Sequence, residues 1–433
     1  MSSQTIVNAL PVGEFDTGQV RAEFEAILGG FKSLGIDPVV AEPVSDEAGA
    51  RRFVQGLADQ TPDLLLIIPL RGLSAQTIEA AAALCPAPCL IWPVQGRFAL
   101  PSSALAAGAL HEAHLPVELL FAPPDHPRAR ERARCVVRAA TAYSRLRRSR
   151  IGVVGGLFPN LVSCRYDPDT VSARLGATLV PIAYDELRAG LHSAAAHMAV
   201  AAPLVGATRD AITSSYAVDA ADSNALTAGI RLHLALKQAA QDKQLDAFAT
   251  ECWTGLPREL GLNPCLGFVE DAYTLACEGD VMLSVSLLIV RYLTGARAYV
   301  GDLYDVDLGG RLTLVHCGGP ASLSADRQSV VLARSQLALE RGFETVTCRP
   351  RLEAGPVTLF RLYGQDCDQM HVASGELASC EQSPNLSVSV MLAGDRWDFL
   401  SQCFGNHYLV APGDIRPELK LLAQWLGVRV VET

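Results

Sequence analysis

The sequence predicts an α/β protein: two doubly wound, Rossmann-like α/β domains followed by a mostly antiparallel, β-barrel-like C-terminal domain. Three observations lead there. Short apolar runs alternate with amphipathic helical patterns up to about residue 309, which is the βαβ signature of a parallel sheet covered on both faces. One of those runs, Asp63–Pro69, is continuously apolar, as a strand buried on both faces of a parallel sheet must be. Beyond Gly310 the pattern changes to period two with Gly and Pro punctuation, which reads as antiparallel strands. The divisions are therefore expected at residues 1–148, 149–309 and 310–433.

In the first block Thr5–Leu10 reads as a strand, Val20–Leu34 as an amphipathic helix and Pro38–Ala41 as the next strand. Ala48–Ala58 is helical, Asp63–Pro69 a buried strand, and Ala75–Leu84 with Pro88–Trp92 repeat the unit. Val117–Phe121 is a further strand and Arg128–Arg147 a long helix. The second block opens with strand Arg150–Val154 running into Gly155-Gly156. A glycine pair after a strand can cradle a phosphate, but the full dinucleotide fingerprint and the P-loop are both missing, so a tight turn is the reading. Val171–Leu175 and Thr178–Ile182 continue the alternation. Ala225–Gln241 is a helix, Ala247–Glu251 and Thr274–Glu278 are strands, Val281–Leu293 is an apolar helix ending at Gly295, and Ala298–Gly301 is a strand. In the third block Leu312–His316, Phe343–Cys348, Val357–Leu362 and Leu386–Met391 are strands, and Ile415–Leu426 is the helix of a terminal β-α-β unit.

Composition narrows the function. With 433 residues, 49% hydrophobic and 19% charged, the chain has material for several cores and is not disordered. Net charge is −10, and the one basic run, Arg145–Arg150, ends a predicted helix where cations complement the dipole. Nucleic-acid binding, which depends on positive charge, is not expected. The apolar stretches Leu64–Leu70 and Val281–Val290 are too short to span a membrane, and the N-terminus lacks a signal-peptide pattern. A soluble cytoplasmic protein is expected, its 12 cysteines reduced. Cys85 and Cys89 form a single CxxxC without a second half, so they read as buried thiols rather than zinc ligands.

The candidate site is assembled from distant segments. Glu251, in Thr250-Glu251-Cys252-Trp253, follows an apolar strand and so lies near a carboxyl end, where ligands of open α/β sheets gather. The structural alternative is a carboxylate capping the next segment or pairing with Arg258. Glu278 and Asp280, in Cys277-Glu278-Gly279-Asp280, stand between a strand and a helix. Asp280 suits an N-cap, yet two acids within three residues exceed what capping needs. The 27 residues from Glu251 to Glu278 leave room for a helix between adjacent strands, so both acids can face one crevice. His407 lies in Gly405-Asn406-His407-Tyr408-Leu409-Val410. Taken alone, His407 and His316 read as satisfied structural histidines. Carboxylates with one imidazole suit Mn²⁺ or a similar cation better than zinc on thiolates.

These pieces, in this order, resemble the L-fucose isomerase and L-arabinose isomerase superfamily. Ala247-Phe248-Ala249-Thr250 is similar to the arabinose isomerase strand carrying the first metal glutamate, and Cys277-Glu278-Gly279-Asp280 to its Gly-Glu-Gly-Asp. The latter segment also resembles the Glu-Asn-Asp of fucose isomerase, whose last acid is the ligand. Gly405-Asn406-His407 resembles the Asn-His that supplies the fucose isomerase metal histidine. The resemblance covers roughly residues 246–319 and 406–433 at motif level, and the N-terminal half in architecture only. Arabinose isomerases place a second metal histidine soon after the helix. This chain has none between His233 and His316, which leaves Asp302, Asp305 or water, or the three-ligand scheme of fucose isomerase.

The resemblance implies a divalent metal, Mn²⁺ with Mg²⁺ or Co²⁺ as alternatives, held by Glu251, Asp280 and His407. Glu251 or Asp280 would double as base, with Glu278 in reserve for either role. Trp253 and His316 would line the sugar pocket; Arg165 would either meet an anionic substituent or be an exposed structural arginine. A homo-oligomer, trimer or hexamer, is implied, in which Arg97 on the loop Pro93–Leu100 reaches a neighbour's substrate. The implied reaction is aldose–ketose isomerisation of a small-molecule sugar through an enediolate. The alternatives are another metal-assisted reaction on a hydroxy-carbonyl compound, such as epimerisation or lyase cleavage, and a sugar-binding module without catalysis. No nicotinamide, flavin or pyridoxal motif offers another electron sink.

Overall fold

The computed structural model describes residues 4–58, 60–196, 198–218, 223–269, 273–343 and 345–433. Its first sheet is wholly parallel and built from β1 (Val7–Val12), β2 (Val39–Val40), β3 (Leu64–Pro69), β4 (Cys89–Ile91) and β5 (Val117–Leu119), in the order β2-β1-β3-β4-β5. All six residues of β3 are buried, as its unbroken apolar run requires. The helix Gly18–Ser33 turns Val20, Phe24, Ile27, Leu28 and Phe31 inward, a stripe at helical spacing. Thr17 caps it by accepting from the Val20 amide. This sheet and its helices form one compact unit, residues 1–147 with 417–427; residues 148–416 with 428–433 form another. The C-terminal helix Arg416–Leu426 thus belongs mainly to the first unit. There Trp425 meets Tyr143 edge-on at 6.3 Å and Glu418 pairs with Arg138 at 3.2 Å.

The second unit begins with β6 (Arg150–Val154), β7 (Thr178–Ile182), β8 (Ala217–Val218), β9 (Ala247–Thr250) and β10 (Thr274–Ala276). Four of these make a parallel sheet in the order β10-β9-β6-β7. The helix Val281–Thr294 is buried without a gap from Val281 to Val290, so it is apolar on every side, as a central helix must be. The rest of the unit is mostly antiparallel: β11 (Tyr299–Val306), β12 (Arg311–His316), β13 (Val331–Arg334), β14 (Val346–Arg349), β15 (Gly355–Tyr363), β16 (Gln369–Glu381), β17 (Leu386–Leu392), β18 (His407–Pro412) and β19 (Arg429–Glu432).

Six of them follow one another as β15-β18-β11-β12-β17-β16, and β16 pairs back to β15, closing an antiparallel barrel. Closure leaves no exposed strand edge within the ring. β17 alternates buried and half-buried residues along its whole length, the period two on which the barrel was expected. β19 adds to β16 in parallel, and β14-β13-β8 form a small separate sheet.

Boundaries differ from the sequence reading by a few residues. β1 runs two residues beyond the predicted Thr5–Leu10 because β3 pairs with it as far as Val12. The third-block strand expected over Phe343–Cys348 forms at Val346–Arg349, and residue 344 lies outside the described residues. The helices Tyr184–Ala196 and Met198–Ser215 carry Ala-rich sequence with weak apolar contrast, so periodicity did not announce them.

Candidate metal and acid–base site

Parallel pairing puts the carboxyl ends of β6, β9 and β10 side by side. Gly155-Gly156, Glu251 and Glu278 therefore emerge along one edge of the sheet. Space there is tight. Gly279 adopts φ +72°, and a Cβ on it would collide with the Gly156 carbonyl. Glu278 itself has φ +59°, a left-handed conformation that costs a non-glycine residue about 1–3 kcal/mol and recurs at functional sites. The surroundings hold it there: its amide donates to Cys252 Sγ at 3.3 Å, its carbonyl accepts from Phe158 at 2.8 Å, and the Gly279 amide donates to the Thr250 carbonyl at 2.9 Å.

Asp280 caps the buried helix through Oδ1, which accepts from the Leu283 amide at 2.9 Å. Its other oxygen, Oδ2, accepts from Arg361 Nη2 at 3.1 Å and from His407 Nδ1 at 3.0 Å. Arg361 also donates to the His407 carbonyl at 2.9 Å and to Cys164 Sγ at 3.0 Å. All four residues are buried. His407 arrives on β18, whose pairing with β11 sets it directly opposite Asp302. Asn406 Nδ2 fixes the Asp302 carboxylate at 2.5 Å.

The electrostatics follow from this packing. Burial alone would raise the Asp280 carboxyl, but the Arg361 guanidinium and the His407 hydrogen bond outweigh it and hold Asp280 well below the usual carboxylate range. Burial alone would push His407 down; its hydrogen bonds to Asp280 and Cys164 and the charges of Asp280 and Asp302 instead carry the imidazole up to about 10. Glu278 is raised, by burial first; His407 pulls it the other way and Asp302 adds to the rise.

His407 Nε2 is buried and has no hydrogen-bond partner among the described residues. It faces Glu278 Oε2 at 3.9 Å and Asp302 Oδ1 at 3.6 Å. An orphaned imidazole nitrogen between two carboxylates is a fitting donor set for a hard or borderline divalent cation. On the other side of the ring, Cys164, Asp280 and His407 present ligand atoms all within 4.8 Å of one another and could also hold a metal ion. Asp280 is the oxygen donor there, and it already answers the Arg361 charge.

Glu251 is placed differently. Its carboxylate accepts from the amides of Trp253 at 3.2 Å and Thr254 at 2.9 Å, from the Thr254 hydroxyl at 3.0 Å and from the Gly255 amide, capping the helix Gly255–Leu260. Trp253 is half-buried and edge-on to Phe158 at 6.4 Å. His316 is buried with Nδ1 3.1 Å from the Gly318 carbonyl, and it lines an apolar pocket with Tyr273, Cys277 and Pro320. Arg165 is exposed, directly after Cys164. Arg97, in the first unit, has φ +56° and pairs with Asp16.

Sequence reasoning missed Arg361 and Cys164. An arginine inside the apolar run Val357–Leu362 was the available signal, since a charge there must find a buried partner. Nothing in the sequence marked Cys164.

No family model matches the chain. It is similar to two proteins named sulfoquinovose isomerase, from Priestia aryabhattai and Priestia megaterium, each 26% identical over 363 residues that cover 79% of this chain and 79% of the relative. A sulfoquinovose isomerase from Alkalicoccus urumqiensis is 24% identical over 411 residues, covering 88% of each chain.

Proposed function

We propose that this protein is a divalent-metal-dependent aldose–ketose isomerase acting on a sulfonated hexose of the sulfoquinovose type. One observation carries the reading: carboxylates from two distant segments, Glu278 with Asp280 and Asp302, converge on the buried imidazole of a third, His407, whose Nε2 has no hydrogen-bond partner among the described residues. The names of the similar proteins supply the substrate class.

Glu278, Asp302 and His407 Nε2 would hold the cation, for which Mn²⁺ fits an oxygen-rich set with one imidazole. The Cys164 side is less suited, because a cation there would meet the Arg361 guanidinium, whose Nη2 is 3.0 Å from the sulfur. Bound, the ion supplies Lewis-acid polarisation of the substrate carbonyl. Isomerisation then requires the proton on the hydroxyl-bearing carbon to move to the former carbonyl carbon, and the hydroxyl proton to move to the carbonyl oxygen. Glu278 would also take and return the carbon-bound proton. Glu251, one strand over, is the second carboxylate and serves the hydroxyl proton. Asp280 and Arg361 fix the imidazole, so that Nε2 stays directed at Glu278 and Asp302. Trp253 and Phe158 wall the sugar. A trimer or hexamer belongs to the same reading and is checked by light scattering.

The test is conversion of sulfoquinovose to its ketose by the Mn²⁺-loaded protein in D₂O, followed by NMR. Deuterium should enter at the carbon next to the carbonyl. Failure to convert sulfonated or plain aldoses with Mn²⁺, Mg²⁺ or Co²⁺ sinks the proposal.

A further inference from the structure

We infer that Arg341, stacked on Trp253, binds the sulfonate of the substrate and sets the preference for an anionic sugar, an assignment that rests on the isomerase reading above. The Arg341 guanidinium lies over the Trp253 ring, 3.7 Å from its centroid, and Nη1 donates to the Trp253 carbonyl at 2.7 Å. Stacking and one hydrogen bond fix the plane of the fork while leaving donors on its other edge. No carboxylate pairs with Arg341 among the described residues, and the side chain is exposed.

Its platform leads directly to the acidic cluster. The Trp253 amide donates to Glu251, and the Trp253 ring meets Phe158, whose own amide donates to the Glu278 carbonyl. A guanidinium held this way offers a sulfonate two parallel N–H donors, the geometry in which arginine outperforms a point charge. The other exposed arginines nearby are less suited. Arg258 is engaged by Glu259, and among the described residues Arg165 has no stacking partner or hydrogen bond to pre-organise it, so binding there would cost more ordering entropy.

The experiment compares sulfoquinovose with its unsulfonated counterpart, as substrates and in calorimetric binding to the Mn²⁺-loaded protein. Wild type, Arg341→Met, Arg341→Lys and Arg165→Met are tested, with circular dichroism to confirm folding. For Arg341→Met the preference for the sulfonated sugar should fall roughly 10- to 100-fold, through KM rather than kcat, since a hydrogen bond to a charged group is lost. Arg341→Lys should recover part of it. An unchanged preference in Arg341→Met, or a collapse confined to Arg165→Met, overturns the assignment. If wild type converts neither sugar, the isomerase reading fails by itself; weaker binding of the sulfonated sugar to Arg341→Met would still uphold the anion site, and equal binding would remove it.

Discussion

His407 Nδ1 and Asp280 Oδ2 lie 3.0 Å apart, both residues fully buried, and the same oxygen takes Arg361 Nη2 at 3.1 Å. One carboxylate thus bonds two cationic groups from different strands and caps a helix. The arrangement fixes the orientation of the imidazole, the role that carboxylates behind metal-binding histidines play.

Asp280→Asn should therefore be costly. Removing one partner of a buried ion pair leaves the other charge uncompensated, a loss of about 3–5 kcal/mol. Mn²⁺ affinity should weaken roughly 10- to 100-fold. Urea unfolding and metal titration measure the two effects; an unchanged unfolding midpoint would show that the Arg361–Asp280–His407 network does not contribute to stability.

Metal uptake should release a proton. With His407 raised to about 10, the metal-free imidazole is protonated at neutral pH, and a cation on Nε2 must displace that proton. Affinity should therefore rise as pH rises toward 10. Calorimetry near pH 7.5 in buffers of different ionisation enthalpy should count about one proton per ion. A count of zero, or full stoichiometry in His407→Ala, rules out Nε2 as the ligand.

Glu278→Gly should separate stability from chemistry. Glycine accepts the left-handed backbone at Glu278 without the side-chain penalty, so the variant should gain about 1 kcal/mol, less the entropy of a freer unfolded chain. Activity and metal binding should disappear together. By contrast, Gly279→Ala places a methyl against the Gly156 carbonyl and should be strongly destabilised. A melting temperature for Glu278→Gly well below wild type would mean that the carboxylate, not the backbone, dominates local stability.

His371 should make the second unit acid-sensitive. It is buried between the Tyr408 hydroxyl at 2.7 Å and the Thr433 hydroxyl at 2.9 Å, and burial lowers it to about 4. Its unfolded value is near 6.5, so between the two the unfolded chain binds the extra proton. The contribution is complete above about pH 6.5 and is lost as pH falls toward 4, on the order of 3 kcal/mol in all. Chemical denaturation at pH 7 and pH 4.5 should show a smaller loss in His371→Gln than in wild type. Equal losses would place the acid sensitivity elsewhere.

The α/β alternation, the buried strand at Leu64–Pro69, the apolar helix from Val281 and the change to period two that became the barrel were all legible in the sequence. Each is a local pattern, readable because helices and strands repeat their apolar faces every 3.6 or two residues. The sequence also marked Glu251, Glu278 and Asp280, because acids at strand ends stand out in apolar surroundings, whereas His407 was marked only by the resemblance of Gly405-Asn406-His407 to the Asn-His of fucose isomerase.

What those groups meet is set by long-range packing. The pairing of β11 with β18 sets Asp302 opposite His407, a register that no local period encodes, since a shift of one residue would turn either side chain to the other face. Arg361 and Cys164 join the site because β15 pairs with β18 and the turn at Val162–Cys164 packs against them. The two oxygens of Asp280 divide between a helix cap and an ion pair, and the Glu251 carboxylate turns to its own following amides. These choices depend on which buried polar groups find partners across the fold, and that satisfaction is reached only when the chain has closed around them.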